Sequence, residues 1–533
     1  MPFSFTRRGL FGLAAGAYAA SRHTVRASTP QPAGTHVELG IVARLGPDTP
    51  VMRSCVSQLL ENGIYFSIDP ERGLPASVPE QLDGYKALLF DEPAYHAALA
   101  EPATRRRLEA WVGRGGFVFR IDDPLKPDGA RAGINPNLLV DVVASDCTYH
   151  MVVLAGLTPF HPEMRRQLLQ RPEADMLEGL KADLVSRMRG MGSHWGEFNL
   201  HYWKAAKALI DTGQHPEIRP ALMASIREMV PHIPQPAHFD RTAGYFGLAW
   251  LKDQTGERLG LDTARANLDE VIARRPRLAG VLTGTGYLDD PLGAGFAIDD
   301  QASMYIDNTI VERNVISTDS LHMYSSAFAS MSRITGDPKY LAEVLKLAAY
   351  VARYHIRPTG TVAQVTRQGK LAAAAWGRGQ SHALYGVLYI LEEMPPTHGE
   401  FKPLVSFIRR VGEALRKYQD PETGLWRNVV DNPTARRESS SSIGITYVYC
   451  RAIREGWVDR ASFEPMVLKA WQGLKQLYWR GGMAANCRGS AYGHDDAYYL
   501  ERPQGWAKMP HMILAATEVQ RLVSGKGKKA KSG

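Results

Sequence analysis

Three stretches of this 533-residue chain gather acids, imidazoles and a guanidinium at the starts of amphipathic helices. In "HFDRTAGYFGLAWLKDQTGE", Asp240 opens a helix rich in Tyr245, Phe246 and Trp250, with His238 just upstream. In "STDSLHMYSSAFASMSRITGD", Asp319 opens a helix whose core stripe is Leu321, Tyr324, Phe328 and Met331, and His322 shares its face. In "WGRGQSHALYGVLYILEEMP", Trp376, Arg378, Gln380 and His382 crowd a helix entrance. Beyond them Leu384, Val387, Leu388 and Leu391 fall at i, i+3, i+4, i+7, and Pro395 ends the helix. Two carboxyls suit general acid–base chemistry, because burial beside a like charge can keep one of them protonated. A planar Arg suits bidentate recognition of a substrate carboxylate. Each residue also has a plain structural reading. An Asp at a helix start caps orphan N–H groups, a lone His is commonly a satisfied core residue, and an Arg can bridge two helices.

Weaker signals surround these. "HWGEFNLHYW" sets Glu197 and His201 at i, i+4, a spacing that can bind metal, but no third ligand is evident and no metal is expected. Its aromatic residues, Trp195 among them, are candidates for sugar contact or for packing. "RRESSSS" (Arg436–Ser442) reads as a cap that opens a helix. "GHDDAYY" (Gly493–Tyr499) reads either as a loop over a mouth or as a solvated acidic turn. Cys55, Cys147, Cys450 and Cys487 form no CxxC pair; a disulfide is permitted and not required.

The elements that must position these residues fall into two kinds. Residues 36–150 alternate short apolar runs ("VELGIVARL", "KALLFDE", "GGFVFRID") with helical stretches, which predicts a small parallel sheet. Residues 159–522 read as about a dozen amphipathic helices joined in one repeated way. "ALIDTGQHPEI", "WLKDQTGERLG" and "SRITGDPKYLAEV" each run helix, Thr-Gly, helix. Gly213, Gly256 and Gly336 supply the left-handed residue, and Asp337-Pro338 supplies a cap and a first-turn Pro. Gly213 and Gly256 are 43 residues apart and Gly336 lies 80 further on, close to two such periods. Helical hairpins at this period make a solenoid or a closed ring. The loose repetition favours the ring. The expected fold is therefore mainly α: an (α/α)6 barrel, or six-hairpin toroid, preceded by a small α/β parallel-sheet domain.

The formal charge of +8 lies at the two ends. Arg7, Arg8, Arg22 and Arg26 sit in an acid-free N-terminal segment, and Lys526, Lys528, Lys529 and Lys531 in an acid-free tail, residues 523–533. The body between them is near neutral, so no nucleic-acid partner is expected. No apolar run approaches the roughly 20 residues needed to span a bilayer. Residues 1–27 carry a twin-arginine pattern (Thr6-Arg7-Arg8-Gly9-Leu10-Phe11), a weakly apolar stretch and Val25-Arg26-Ala27. They read as an export signal, pointing to a bacterial periplasm.

"WGRGQSHALYG" resembles the Trp-x-Arg-Gly-(Gln/Asn) segment of the unsaturated glucuronyl and rhamnogalacturonyl hydrolases, glycoside hydrolase families 88 and 105. "TDSLHMYSSAFASMSRITGDPKYL", Trp426–Ile453 and Cys487–Val519 are similar to three further segments of those families, in family order from about Ser193 to Leu522. The resemblance implies an oligosaccharide substrate, no cofactor, Asp319 as principal acid/base and Asp240 as second carboxylate. It implies Arg378 as a residue binding the sugar acid, within a subsite that includes Trp376, Gln380, His382, His322, His238 and Trp195. Two departures stand out: His382 occupies a position where the families have Trp, and Phe239 precedes Asp240 where one branch has His. "LDGYKALLFDEP…LEAWVGRGGFVFRID" resembles the glutamine-amidotransferase-like or flavodoxin-like domains attached to some carbohydrate enzymes. It lacks a Cys on a strand-to-helix turn, so an accessory role is expected. Three functional readings remain: removal of a Δ4,5-unsaturated uronic acid, removal of a saturated one, and a barrel that only binds sugar.

Overall fold

The computed structural model describes residues 37–45, 75–122, 140–143, 173–189, 195–233, 241–275, 277–283, 316–367, 370–372, 374–435, 437–475, 484–487, 504–507 and 509–524, with residues 52, 55, 56, 59, 64, 66, 155 and 157. The chain divides into two compact units, residues 1–47 with 62–166, and residues 48–61 with 167–533.

The first unit holds β1 (Leu39–Val42), β2 (Ala87–Phe90), α1 (Glu92–Ala100), α2 (Pro102–Gly113), β3 (Phe117–Asp122) and β4 (Val140–Val143). The four strands pair in parallel in the order β1-β2-β3-β4, and Phe66 adds a parallel bridge to Leu39. Strands β1 and β2 are apolar at every position and buried throughout, as strands of a sheet covered on both faces must be. Val42, Leu88, Phe90, Tyr95, Leu108 and Trp111 share one core. At Gly116 a side chain would stand 2.3 Å from the Trp111 ring, so only glycine lets the chain enter β3 there.

The second unit is helical. Among the described residues six helices form an inner ring: α4 (Glu197–Ile210), α6 (Tyr245–Thr255), α8 (Thr318–Thr335), α10 (Gly377–Glu393), α12 (Ser439–Arg454) and α14 (Met509–Val523). Each packs on the next, and α14 packs back on α4. Six outer helices among the described residues back them: α3 (Glu173–Arg189), α5 (Ile218–Met229), α7 (Leu261–Arg274), α9 (Pro338–Tyr354), α11 (Phe401–Lys417) and α13 (Arg460–Lys475). Helix α3, first in sequence, pairs with the last inner helix and so closes the toroid. The expected punctuation is present. Gly213, Gly256 and Gly336 have φ of 74°, 78° and 75°, and Asp337 caps α9 by accepting from the Lys339 N–H.

Outer helix α11 buries a single stripe, Leu404, Phe407, Ile408, Val411 and Leu415. Inner helices differ from the one-stripe expectation. Helix α8 is buried from Thr318 to Met331 and α10 from Gly377 to Leu391, since one face meets the outer ring and the other meets the barrel axis. Close approach of these two helices depends on Gly386. A side chain there would stand 2.6 Å from Leu321 Cγ and 2.9 Å from the Leu321 carbonyl. Cys450, on α12, is a buried free thiol. Among the described residues no helix is long and apolar enough to cross a membrane.

Candidate active site

Short antiparallel pairings lock the residues that lead into three inner helices. Ile316–Ser317 pairs with residues 365–366, and the Thr318 N–H donates to the Gln364 carbonyl at 2.8 Å. Trp376 bridges Val429, and the Gly377 N–H donates to the Asn428 carbonyl at 2.6 Å. Trp426–Arg427 pairs with Arg437–Glu438. These collars fix the N-terminal ends of α8, α10 and α12.

The decisive detail is which residue caps α8. Ser317 does so: its hydroxyl accepts from the Ser320 N–H at 3.0 Å. Asp319 lies inside the first turn, and its carboxylate is left for side-chain partners. Oδ1 stands 3.1 Å from His382 Nδ1, and Oδ2 accepts from Gln364 Nε2 at 3.0 Å. The Asp319 and His382 side chains keep 10% and 7% of their surface exposed. Burial alone would raise the Asp319 pKa. The facing His382, the Gln364 amide and the Arg378 charge outweigh it and hold the carboxyl below its ordinary range. Arg378 is also nearly buried, its guanidinium 4.7 Å over the Trp376 ring.

The other expected subsite residues divide sharply. Trp376 has no exposed surface; it packs with Ala374, Val429 and Ala435 beneath Arg378, so it is a platform for the guanidinium rather than for a sugar. Gln380 is equally buried. Its Oε1 accepts from the Val362 N–H at 2.7 Å, and its Nε2 donates to the Val362 and Trp376 carbonyls at 2.6 and 3.1 Å. That amide ties α10 to the segment that carries Gln364 and is not available to substrate. His322 is fully buried behind His382, with ring centroids 4.8 Å apart. Trp195 is 1% exposed and packs edge-on against Trp203. All four side chains are buried in the packing around the N-terminal ends of the inner helices. Asp240 and His238 lie outside the described residues, as does Gly493–Tyr499.

Glu438 behaves as its local sequence implies. It caps α12, accepting from the Ser440 and Ser441 N–H groups at 2.8 and 2.6 Å. His201 joins the buried core. Its Nε2 is 3.2 Å from His322 Nε2, and its ring lies 3.9 Å from that of His511. Among the described residues no group of three His, Cys, Asp or Glu is arranged to hold a metal ion.

Sequence reasoning missed Gln364, His511, Tyr385 and Tyr389. Gln364 had one visible signal, a polar residue inside the apolar run Val362-Ala363-Gln364-Val365. His382, Tyr385, Tyr389 and Glu392 fall on one face of α10, opposite the Leu384/Val387/Leu388/Leu391 stripe, and line the barrel axis. Lower in the axis, Lys204 Nζ sits 3.9 Å over the Tyr389 ring and pairs with Glu392 at 2.8 Å.

A buried acid and a guanidinium at the rim of a helical toroid can be set beside known proteins. Residues 292–523 match the profile of Glycosyl Hydrolase Family 88. An unsaturated 3S-rhamnoglycuronyl hydrolase from Formosa agariphila is 29% identical over 109 residues, 20% of this chain and 29% of that protein. The unsaturated rhamnogalacturonyl hydrolase YesR from Bacillus subtilis (strain 168) is 27% identical over 132 residues, 21% of this chain and 38% of that protein. The matched stretches thus span about a third of the length of these curated relatives. A crystal structure described as a possible member of the GH105 family, from Klebsiella pneumoniae, is similar with a TM-score of 0.55 and 18% identity, covering 65% of this chain and 92% of that one. The toroid shares its fold with that structure. Family match and fold together support a glycoside hydrolase.

Proposed function

We propose that this protein removes a non-reducing-end uronic acid from oligosaccharides, with a Δ4,5-unsaturated uronide as the preferred substrate. The observation that carries the reading is Asp319: a buried carboxylate at an inner-helix start, relieved of capping by Ser317 and flanked by Arg378. The family 88 match over residues 292–523 and the two relatives named as unsaturated uronide hydrolases support the same class.

The chemistry follows from the residue types. The substrate carries a C4=C5 double bond conjugated to a carboxylate. Asp319 delivers a proton to C4, positive character builds at C5, and water adds there. The hydrated ring opens and releases its partner sugar, so the net uptake is one water. Arg378 pairs with the substrate carboxylate, and Asp240 is the second carboxylate that steadies the cation. No metal or covalent nucleophile enters this scheme. The N-terminal unit has an accessory role, and residues 1–27 direct export to a bacterial periplasm.

His382 beside the acid motivates a second reading, hydrolysis of a saturated uronoside at its anomeric carbon by Asp319 and Asp240. The test is incubation with unsaturated uronyl disaccharides from several lyases, following loss of the double-bond absorbance, beside a chromogenic saturated glucuronide. Loss of absorbance that vanishes in Asp319→Asn supports the first reading. Hydrolysis of the saturated substrate alone moves the assignment to the second. Inertness toward both leaves a barrel that binds sugar.

A further inference from the structure

Outer helix α11 departs from the rest of the outer ring in charge. Its sequence, "FKPLVSFIRRVGEALRK", holds five cations, Lys402, Arg409, Arg410, Arg416 and Lys417, against one acid, Glu413, and all six are exposed. In no other outer helix do cations exceed acids by more than two. We infer that this face of α11 is a second saccharide-binding surface, which holds an acidic polysaccharide carrying a carboxylate on every second sugar. The choice of a uronate polymer as its occupant rests on the proposed function.

Elsewhere on the outer ring cations are matched with acids: Arg227 with Glu257, Arg274 with Glu270, Lys339 with Asp269, Lys346 with Glu343 and Arg460 with Glu464. On α11 Arg416 is matched, with Glu413 at 2.9 Å. Among the described residues Lys402, Arg409, Arg410 and Lys417 pair with no acid. Arg409 donates from Nε and a terminal nitrogen to the Trp457 carbonyl at 3.3 and 2.9 Å, and Arg410 donates to the Ala352 carbonyl. Carbonyl acceptors hold the two guanidinium groups in place and leave their charge un-neutralised. The helix dipole accounts for cations in the last turn, Arg416 and Lys417, but disfavours one in the first turn, where Lys402 stands.

Spacing and surroundings select the occupant. Lys402, Arg409 and Arg416 recur every seventh residue, so they share one face at intervals of about 10 Å along the axis. That interval is comparable to the length of a disaccharide unit, so a chain lying along α11 with a uronate at every second sugar meets a cation at each carboxylate. Partly exposed rings flank the stripe and offer faces to sugar C–H groups. On one side is Trp457, whose carbonyl holds Arg409 and whose ring meets that of Phe401 edge-on at 6.0 Å. On the other is Tyr354, 48% exposed, with the Arg353 guanidinium 5.2 Å over its ring. Among the described residues no large aliphatic side chain is strongly exposed on α9 or α11, so the face lacks the apolar patch that a membrane would engage. Lys417 ends α11, and the chain runs on to the 426–438 pairing that collars the start of α12. The stripe therefore leads toward the end of the toroid that carries Asp319.

Binding of size-defined hyaluronan, in which every second sugar is a glucuronate, tests the surface on the full chain at low salt, with dextran as the uncharged control. Combining Lys402→Gln, Arg409→Gln, Arg410→Gln and Lys417→Gln should raise the Kd about tenfold or more, and the difference should shrink as salt is added. Tyr354→Ala should weaken binding several-fold. In both variants kcat/KM on an unsaturated uronyl disaccharide, too short to reach α11 from the cavity, should stay at the wild-type value. An unchanged Kd in the folded fourfold variant overturns the inference. So does equal wild-type affinity for a short DNA duplex or for phosphatidylserine vesicles, which would make the face a general polyanion surface. If the fourfold variant folds poorly, Lys402→Gln with Lys417→Gln removes two of the charges without touching a hydrogen bond, and should still weaken binding about threefold. Binding that depends on α11 in a protein inert toward every uronide leaves the surface standing and removes the proposed activity. Turnover of unsaturated uronides without such binding does the reverse, so the two failures are distinguishable.

Discussion

Asp91 and Asp319 are the same residue type in nearly the same local setting, each buried at the start of a helix, one in the sheet unit and one in the toroid. Asp91 is consumed by backbone. Its Oδ1 accepts from the Ala94 N–H at 2.8 Å, and its Oδ2 accepts from the Arg44 and Leu45 N–H groups at 2.8 and 2.6 Å. It caps α1 and ties the end of β2 to the segment after β1. Asp319 accepts from no backbone group among its described hydrogen bonds, because Ser317 has taken the capping role. One carboxylate is structural and the other is kept available. Asp91 is itself the cap of α1, whereas Asp319 lies two residues past the cap of α8.

Exchanging each acid tests the contrast. Asp319→Asn keeps the size and the Gln364 neighbour but cannot hold or pass a proton. The expected effect is a loss in kcat/KM of about 10³-fold or more, within the range for a general acid, with a melting temperature close to wild type. A large fall in stability instead would make Asp319 a structural residue like its counterpart. Asp91→Ala should do the opposite. It leaves three N–H groups without their acceptor, that of Ala94 buried, for a loss of about 2 kcal/mol in denaturant unfolding of the sheet unit. kcat at a temperature where the protein stays folded should be unchanged.

A third test concerns the segment that carries Gln364. His355 is buried with its Nδ1–H donating to the Ala363 carbonyl at 3.0 Å. Burial, against that hydrogen bond, pushes its pKa down to about 4. The unfolded chain therefore binds a proton below pH 6.5 that the folded chain refuses. This stabilisation is complete above pH 6.5 and is lost as pH falls toward 4, at about 1.4 kcal/mol per unit. Urea unfolding at pH 7.5 and pH 5 should show the wild type losing about 2 kcal/mol more than His355→Gln across that interval. Equal losses would mean that His355 is solvated.

The smallest expected effect is the most discriminating. Ser317→Ala removes the cap of α8 at a cost of about 1 kcal/mol. With the Ser320 N–H left open, Asp319 becomes the nearest acceptor, so activity should fall by more than the stability loss explains. Unchanged kcat in a folded Ser317→Ala protein would show that the cap does not protect the catalytic carboxylate.

Much of the toroid was legible because its signals are local. A Gly in the left-handed conformation followed by Asp-Pro is a complete helix stop and start within four residues, and one outer stripe such as Leu404 to Leu415 needs only its own periodicity. The site was legible as far as residue types at helix starts. What stayed hidden depends on partners distant in sequence. Ser317 is positioned by pairing with residues 365–366, and Gln364, just before them, reaches Asp319. Trp376 loses its sugar-facing role because the 426–430 segment covers it. Gln380 reads as a ligand until Val362 claims both ends of its amide.

The central claim, that Asp319 protonates a double bond rather than a glycosidic oxygen, is tested most directly in heavy water. An unsaturated uronyl disaccharide is turned over in D2O, the reaction is stopped early, and the released uronic acid is examined by proton NMR. The account predicts one deuteron at C4 in each product molecule, with no product from Asp319→Asn. Release of the sugar with the C4=C5 double bond intact and no deuterium at C4 would contradict it.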